Sequence, residues 1–216
     1  MRQTGKRSEL LPATALILGG GRGSRMGGNK LFLSTGEALL IERVLARITP
    51  WFSSVMLSIG PEDLEPLERG LGPVLERWPV EVVVDSAPGL GPLEGLSAAL
   101  GAMKTKWGFA IGCDMPLIQE AVLGILWDAR TPESDVVCAR LEGFLEPLHA
   151  FYSVSCLPAV RKALEKGERR IKSFFGDVAV TVVEEENLRV LPGYRRSFTG
   201  VNTPEELRRL LNPGLP

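Results

Sequence analysis

The sequence predicts an α/β protein in which helices cover both faces of a mostly parallel sheet, a three-layer α/β/α arrangement. Three observations carry this expectation. Short β-branched or apolar runs alternate with helix-like segments along the chain. Glycine-rich stretches follow two of those runs, at residues 19–30 and 86–95. An acid stands just past the end of two runs, Asp85 and Asp114, where open α/β sheets bind their ligands.

Taken in order, strands are predicted at residues 13–18, 54–59, 81–84, Trp107–Gly112, 135–139 and 178–183. Each is short and rich in apolar or β-branched residues, as strands buried on both faces are. Helices are predicted between them at residues 39–48, 92–104, 118–128, 157–166 and Pro204–Leu211. The last carries clear start signals: Thr203 as N-cap, Pro204 in the first turn and Glu206 closing a capping box. Residues 141–152 read as a hairpin or loop excursion, because Gly143 and Pro147 interrupt a strand-like run. Residues 1–12 are expected to form a flexible tail and residues 13–216 a single domain.

With 25 basic and 26 acidic residues the net charge is -1, and no basic stripe with interleaved aromatics is present, so a nucleic-acid partner is not expected. Cys113, Cys138 and Cys156 are odd in number and lack CxxC spacing, which suits a reducing compartment and gives no zinc site. No segment is long and apolar enough to span a bilayer. The basic start and the apolar residues 10–18 loosely imitate a secretory signal, but they lead into a glycine loop rather than a cleavage site. A cytoplasmic monomer is the expectation.

Residues 19–30, Gly-Gly-Gly-Arg-Gly-Ser-Arg-Met-Gly-Gly-Asn-Lys, hold six glycines and three cations with no acid. Such a loop lets backbone N–H groups approach phosphate oxygens, while Arg22, Arg25 and Lys30 supply countercharge. It is neither of the two commonest phosphate motifs. After Gly23 and Gly28 the lysine arrives one place late for Walker A, and Ser24 or Met26 stands where the dinucleotide fingerprint needs its third glycine. The plain alternative is a basic surface turn; the apolar run that feeds the loop favours phosphate.

Asp114 lies in Gly112-Cys-Asp-Met-Pro116 at the end of a predicted strand. Beside a triphosphate it suits Mg²⁺, which takes one or two carboxylates plus phosphate oxygens and waters; alone, it would read as a turn aspartate. Asp85 precedes the turn Gly89-Leu-Gly-Pro-Leu-Glu-Gly95. It can accept from the paired N–H donors of a guanine edge, contact a second substrate or the metal, or merely satisfy its own turn.

Residues 18–30, Gly91-Pro-Leu-Glu-Gly95, Cys113-Asp-Met-Pro116, Glu146-Pro-Leu-His-Ala150 and Asn202-Thr-Pro204 together resemble the molybdenum cofactor guanylyltransferases, in order and spacing. The resemblance spans residues 13–211. It implies a Rossmann-like nucleotidyltransferase fold, similar to the glycosyltransferase-A type. It implies transfer of GMP from GTP to molybdenum-bound molybdopterin, with release of pyrophosphate, and transient contacts with cofactor-biosynthesis proteins. Carried across, GTP binding falls on Leu18, Gly19, Gly20, Gly21, Gly23, Ser24, Lys30, Asp85 and Asp114. Asp114 is the Mg²⁺ ligand, Arg25 and Lys30 stabilise the leaving pyrophosphate, and Glu146, His149 and Asn202 face the pterin. Three positions depart from the family: Gly19 stands for Ala, Gly60 for Asn and Gly200 for Asn.

The attacking phosphate monoester is already anionic, so no general base is required, in keeping with a single histidine and no Gly-x-Ser-x-Gly elbow. For His149 the leading reading is a hydrogen-bonded residue that shapes the pocket, with pterin contact second. Trp51, Trp78, Trp107 and Trp127 read as core, and Arg169-Arg170 with Lys172 as a solvated helix start that can also dock a phosphate. Two rivals stand. One is a cytidylyltransferase of the pterin or of another phosphorylated small molecule, disfavoured by Gly20 and by Gly-Pro-Leu-x-Gly. The other is a non-catalytic nucleotide-binding protein, disfavoured by Lys30 and Asp114.

Overall fold

The structure, a computed structural model, describes residues 9–19, 30–34, 38–86, 89 and 91–211. Within them β1 (Leu11–Leu18), β2 (Phe52–Ile59), β3 (Val80–Val84), β4 (Trp107–Gly112), β5 (Val136–Leu141), β6 (Phe144–Ser153) and β7 (Val180–Glu184) form one sheet. The spatial order is β3-β2-β1-β4-β6-β5-β7, and β6 alone of these runs antiparallel to its neighbours. The helices are α1 (Leu40–Ile48), α2 (Leu64–Leu75), α3 (Pro92–Ala102), α4 (Glu120–Asp128), α5 (Leu157–Glu165), α6 (Glu185–Leu188) and α7 (Pro204–Leu211).

Two cores separate three layers. Ala15 and Ile17 of β1 point toward α1, α2 and α4, where Ile41, Leu45, Leu71 and Leu126 are buried. Leu16 and Leu18 point the other way, toward Leu96 and Leu100 of α3 and Val160 of α5. This alternation explains why β1 reads as one unbroken apolar run: it lies mid-sheet and feeds both cores. Truncating a residue such as Ile17 to Ala would cost about 2–5 kcal/mol.

The six predicted strands are all present. β1 begins two residues before its predicted start. The seventh, β6, is the principal correction. Residues 141–152 do form a hairpin, but its second arm is a ten-residue strand in the middle of the sheet. Gly143 is not a break within it; Glu142 and Gly143, with φ 50° and 86°, make the two-residue turn, as a type I′ hairpin requires. Pro147 is tolerated because the β5–β6 register shifts between Cys138 and Arg140, leaving residues 146–149 bulged out of that ladder. Tyr152 pins that bulge by donating its hydroxyl hydrogen to the Pro147 carbonyl at 2.7 Å.

α2 was not predicted. Pro66, Gly70, Gly72 and Pro73 obscure its pattern, yet Leu67 and Leu71, one turn apart, are buried and hold it on the sheet. The predicted capping box of α7 is present: Glu206 N–H donates to Thr203 Oγ1 at 3.0 Å, and Thr203 N–H to Glu206 Oε2 at 3.3 Å. Trp107 and Trp127 are buried and Trp51 and Trp78 pack against the core, as expected. All three cysteines are buried free thiols. No helix of the described residues is long and apolar enough to cross a membrane.

Candidate active site

In this strand order the chain leaves β1 toward β2 on one side and reaches β4 on the other, so the carboxyl ends of β1 and β4 flank the crevice where α/β sheets take ligands. Leu18 is in register with Gly112, and Cys113 N–H donates to the Leu18 carbonyl at 3.2 Å. Gly19 N–H donates to the Ser58 carbonyl at 2.8 Å, fixing the point from which the glycine loop departs. Gly20, Gly21, Gly23, Ser24 and Arg25 lie outside the described residues. Lys30 opens a short 3-10 turn, Lys30–Phe32, and only its backbone is described.

Asp114 sits on a tight turn after β4, closed by Met115 N–H donating to the Gly112 carbonyl at 3.2 Å. Its own carbonyl accepts Val201 N–H at 2.7 Å, so the segment before α7 is tied to this corner. The carboxylate folds back over Gly112. A Cβ on Gly112 would lie 2.5 Å from Asp114 Oδ1, so only glycine leaves the acid where it is. Gly200 passes the other side, with a hypothetical Cβ 3.5 Å from Oδ2. Asn202 follows directly, its N–H donated to Glu206 Oε2 at 2.6 Å.

Asp85 directly follows β3, its N–H donated to the Ile59 carbonyl at 2.8 Å. Ser58, 1% exposed, donates its hydroxyl hydrogen to Asp85 Oδ1 at 2.6 Å. Glu94, buried at the start of α3, accepts Ser86 N–H at 3.1 Å and so holds the turn that follows Asp85. Burial raises the Asp85 carboxyl from 3.8 to about 6; the Ser58 hydroxyl opposes the rise, while Glu94, Glu62 and Asp63 add to it. Three strand spacings separate the ends of β3 and β4, roughly 14 Å at about 4.8 Å each. Asp85 therefore belongs to a different part of the crevice from Asp114.

β4 pairs with β6 only as far as Ile111 against His149, so residues 144–148 run on past that pairing. Glu146 lies in this overhang; burial raises its carboxyl, against the pull of Lys172. Glu185 N-caps the hairpin turn by accepting Glu142 N–H at 3.0 Å, and Arg195 pairs with both Glu142 and Glu185.

His149 is an interior residue of β6. Its ring is fully buried, 4.9 Å from the Phe109 ring and 4.4 Å from that of Phe198. Gln119 N–H donates to Ser197 Oγ at 2.9 Å, and Ser197 Oγ and His149 Nε2 are hydrogen-bonded at 3.2 Å. Burial holds the imidazole down at about 3, so it stays neutral. It ties β6 to residues 194–198.

Ser58 and Glu94 escaped the sequence reading. A serine inside Val-Met-Leu-Ser-Ile and an acid within Gly-Pro-Leu-Glu-Gly were the available signals, since polar residues in buried runs need partners.

The family model described as the MobA-like NTP transferase domain matches residues 15–182. The chain belongs to that family. Among its MobA-like relatives, the probable molybdenum cofactor guanylyltransferase of Pelotomaculum thermopropionicum is 35% identical, over 92% of this chain and 91% of that one. The probable molybdenum cofactor guanylyltransferase of Methanosarcina mazei is 31% identical, over 92% and 89%. The crystal structure of molybdopterin-guanine dinucleotide biosynthesis protein A from Archaeoglobus fulgidus superposes with a TM-score of 0.74 at 26% identity, covering 91% of this chain and 96% of that one. The fold expectation, a nucleotidyltransferase with a mostly parallel sheet, is borne out, and the chain is a nucleotidyltransferase enzyme.

The departures from the MobA-like pattern differ in kind. At Gly19 a Cβ would meet the Ser58 carbonyl at 2.9 Å, so glycine fits a tight contact between backbones. At Gly60 the volume beside the backbone is taken by the Glu62 carboxylate, 2.5 Å from a hypothetical Cβ. Gly200 leaves ordinary van der Waals room beside Asp114.

Proposed function

We propose that this chain transfers GMP from GTP to molybdenum-bound molybdopterin, giving the guanine dinucleotide cofactor and pyrophosphate. The reading is carried by the Asp114 corner: a carboxylate over Gly112, tied by backbone to Leu18 at the end of β1 and to Val201. Its relatives' names supply the substrates.

A phosphate oxygen of the acceptor attacks the α-phosphorus of GTP; that P–O bond forms as the bond to the β-phosphate bridging oxygen breaks, and pyrophosphate leaves with the electron pair. Gly20, Gly21, Gly23 and Ser24 cradle the phosphates through backbone N–H groups, Leu18 and Gly19 lead the chain to them from the end of β1, and Arg25 and Lys30 neutralise the leaving group. Asp85 accepts from the guanine N1–H and exocyclic amine, at the far end of the crevice from the phosphates. Glu146, on the β6 overhang, and Asn202, beside Asp114, line the acceptor side.

Enzymes of this family generally use a divalent metal. Among the described residues no group of three or more His, Cys, Asp or Glu gathers as a cage, and a single carboxylate beside a triphosphate suits Mg²⁺. We assign Mg²⁺ to Asp114. When bound, it supplies charge neutralisation at the phosphates.

Calorimetry with GTP, CTP and ATP in the presence of Mg²⁺ tests the reading, with pyrophosphate release on adding molybdopterin as the second readout. GTP is expected to bind at least tenfold tighter than the others. Tight CTP and weak GTP would reassign the base, and nucleotide binding without pyrophosphate release would remove the transfer.

A further inference from the structure

Asp85 is an unusual choice for a hydrogen-bond acceptor. It is 8% exposed, and the charged groups acting on it are Glu94 from α3 and Glu62 and Asp63 from the 3-10 turn after β2, all acidic. Such surroundings favour the protonated acid, which presents an O–H donor. A protonated Asp85 would match a base edge that carries an acceptor, such as the N3 of cytosine, as well as one that carries donors.

The contact that opposes this is Ser58. Its hydroxyl is buried beside Gly95 of α3, and it can serve the carboxylate as donor at 2.6 Å. The neighbouring backbone keeps it there. A Cβ on Gly95 would lie 2.9 Å from Ser58 Oγ and 3.7 Å from Asp85 Oδ1, so α3 approaches the pair through a glycine and leaves the hydroxyl no competitor for space. Oδ1 retains a second lone pair and Oδ2 both of its own, enough for the two parallel donors of a guanine edge.

We propose that Ser58 is a specificity-setting positioning residue: by donating its hydroxyl hydrogen to Asp85 Oδ1 it keeps that carboxylate an acceptor and so selects a base with a donor edge. This rests on the reading of Asp85 as the base acceptor. Ser58 acts through Asp85 and touches no substrate itself, and Gly95 belongs to the same device as the residue that makes room for it.

The experiment is nucleotide binding by calorimetry from pH 5 to 8 with GTP and with ITP, which lacks the exocyclic amine, for the wild type, Ser58→Ala, Gly95→Ala and Asp85→Asn. Ser58→Ala is expected to weaken GTP about tenfold at pH 7, the scale of one hydrogen bond to a charged group. It should narrow the GTP-over-ITP preference and move the acid limb of GTP binding to higher pH, because the bond that favours the ionised carboxylate is gone. Gly95→Ala leaves every polar group in place, and is expected to move preference and acid limb in the same directions by displacing the hydroxyl. A merely structural role would weaken GTP and ITP alike with the acid limb unmoved, and that result in both variants overturns the proposal. Should Ser58→Ala fail to fold, Gly95→Ala decides alone. Should Asp85→Asn bind GTP as the wild type does, the base-acceptor reading itself falls, and with it the role of Ser58. If instead Asp85→Asn weakens GTP while Ser58→Ala and Gly95→Ala change neither preference nor acid limb, only the Ser58 proposal is lost.

Discussion

The acids that follow β3 and β4 are held by opposite means. Asp114 is placed by backbone: a turn closed on Gly112, the neighbouring Cys113 N–H on the Leu18 carbonyl, and the Val201 N–H on its own carbonyl. Asp85 is placed by side chains, with Ser58 on its carboxylate and Glu94 on the turn beyond it. The difference is instructive. A backbone cage asks little of its neighbours beyond the glycine at 112, which suits the general task of meeting a triphosphate. A side-chain cage is set by residue identity, which suits the particular task of choosing a base.

The strongest way to break the comparison is to remove the charge at the backbone-held corner. Asp114→Ala, and Lys30→Ala at the end of the glycine loop, should each lower the rate of pyrophosphate release by about two orders of magnitude or more, roughly 3 kcal/mol of barrier. Near-normal turnover in either would sink the catalytic assignment.

A subtler test keeps the acid and spoils its seat. Gly112→Ala puts a Cβ where Asp114 Oδ1 now lies, at 2.5 Å. We expect kcat to fall about tenfold while the GTP Kd changes little, since displacing a catalytic group by an ångström or less already costs rate. Steady-state kinetics beside calorimetry would show whether the two parameters separate.

A test of stability rather than of rate sharpens the side-chain corner. The Asp85 carboxyl rises from 3.8 to about 6 on folding, so between those values the native chain holds a proton that the unfolded chain has lost. Stability therefore falls as pH climbs from about 4 to about 6, and the penalty is complete above that range. Asp85→Asn removes it, for a gain of up to about 3 kcal/mol at pH 7.5 and none at pH 4. Thermal melts of both proteins at the two pH values would check this; an equal Tm difference at both would refute it.

Both corners were partly legible in the chain. An acid after an apolar run and a glycine loop after another give Asp85, Asp114 and the crevice between them, because strand ends and phosphate cradles depend on residue type. Val201 was invisible, since it contributes an amide hydrogen that any residue but proline has. Ser58 and Glu94 were passed over because an isolated polar residue in an apolar run acquires meaning only from a partner 27 or 8 residues away in sequence. In the fold, Gly143 and Pro147 were read as interruptions; they are the turn and the bulge that allow β6 to enter the sheet reversed. α2 was lost for a related reason, its two prolines and two glycines outweighing the pair of leucines that anchors it.

The Val201 to Asp114 hydrogen bond also orders events in time. All seven strands lie between Leu11 and Glu184, and chains are made from the amino terminus. The sheet can thus assemble from residues already synthesised, while the lock on Asp114 waits for an amide 87 positions later in the chain. A polypeptide stopped after β7 would contain every strand and still leave its acidic corner unfastened. Building the sheet and fastening the Asp114 corner draw on separate stretches of the chain.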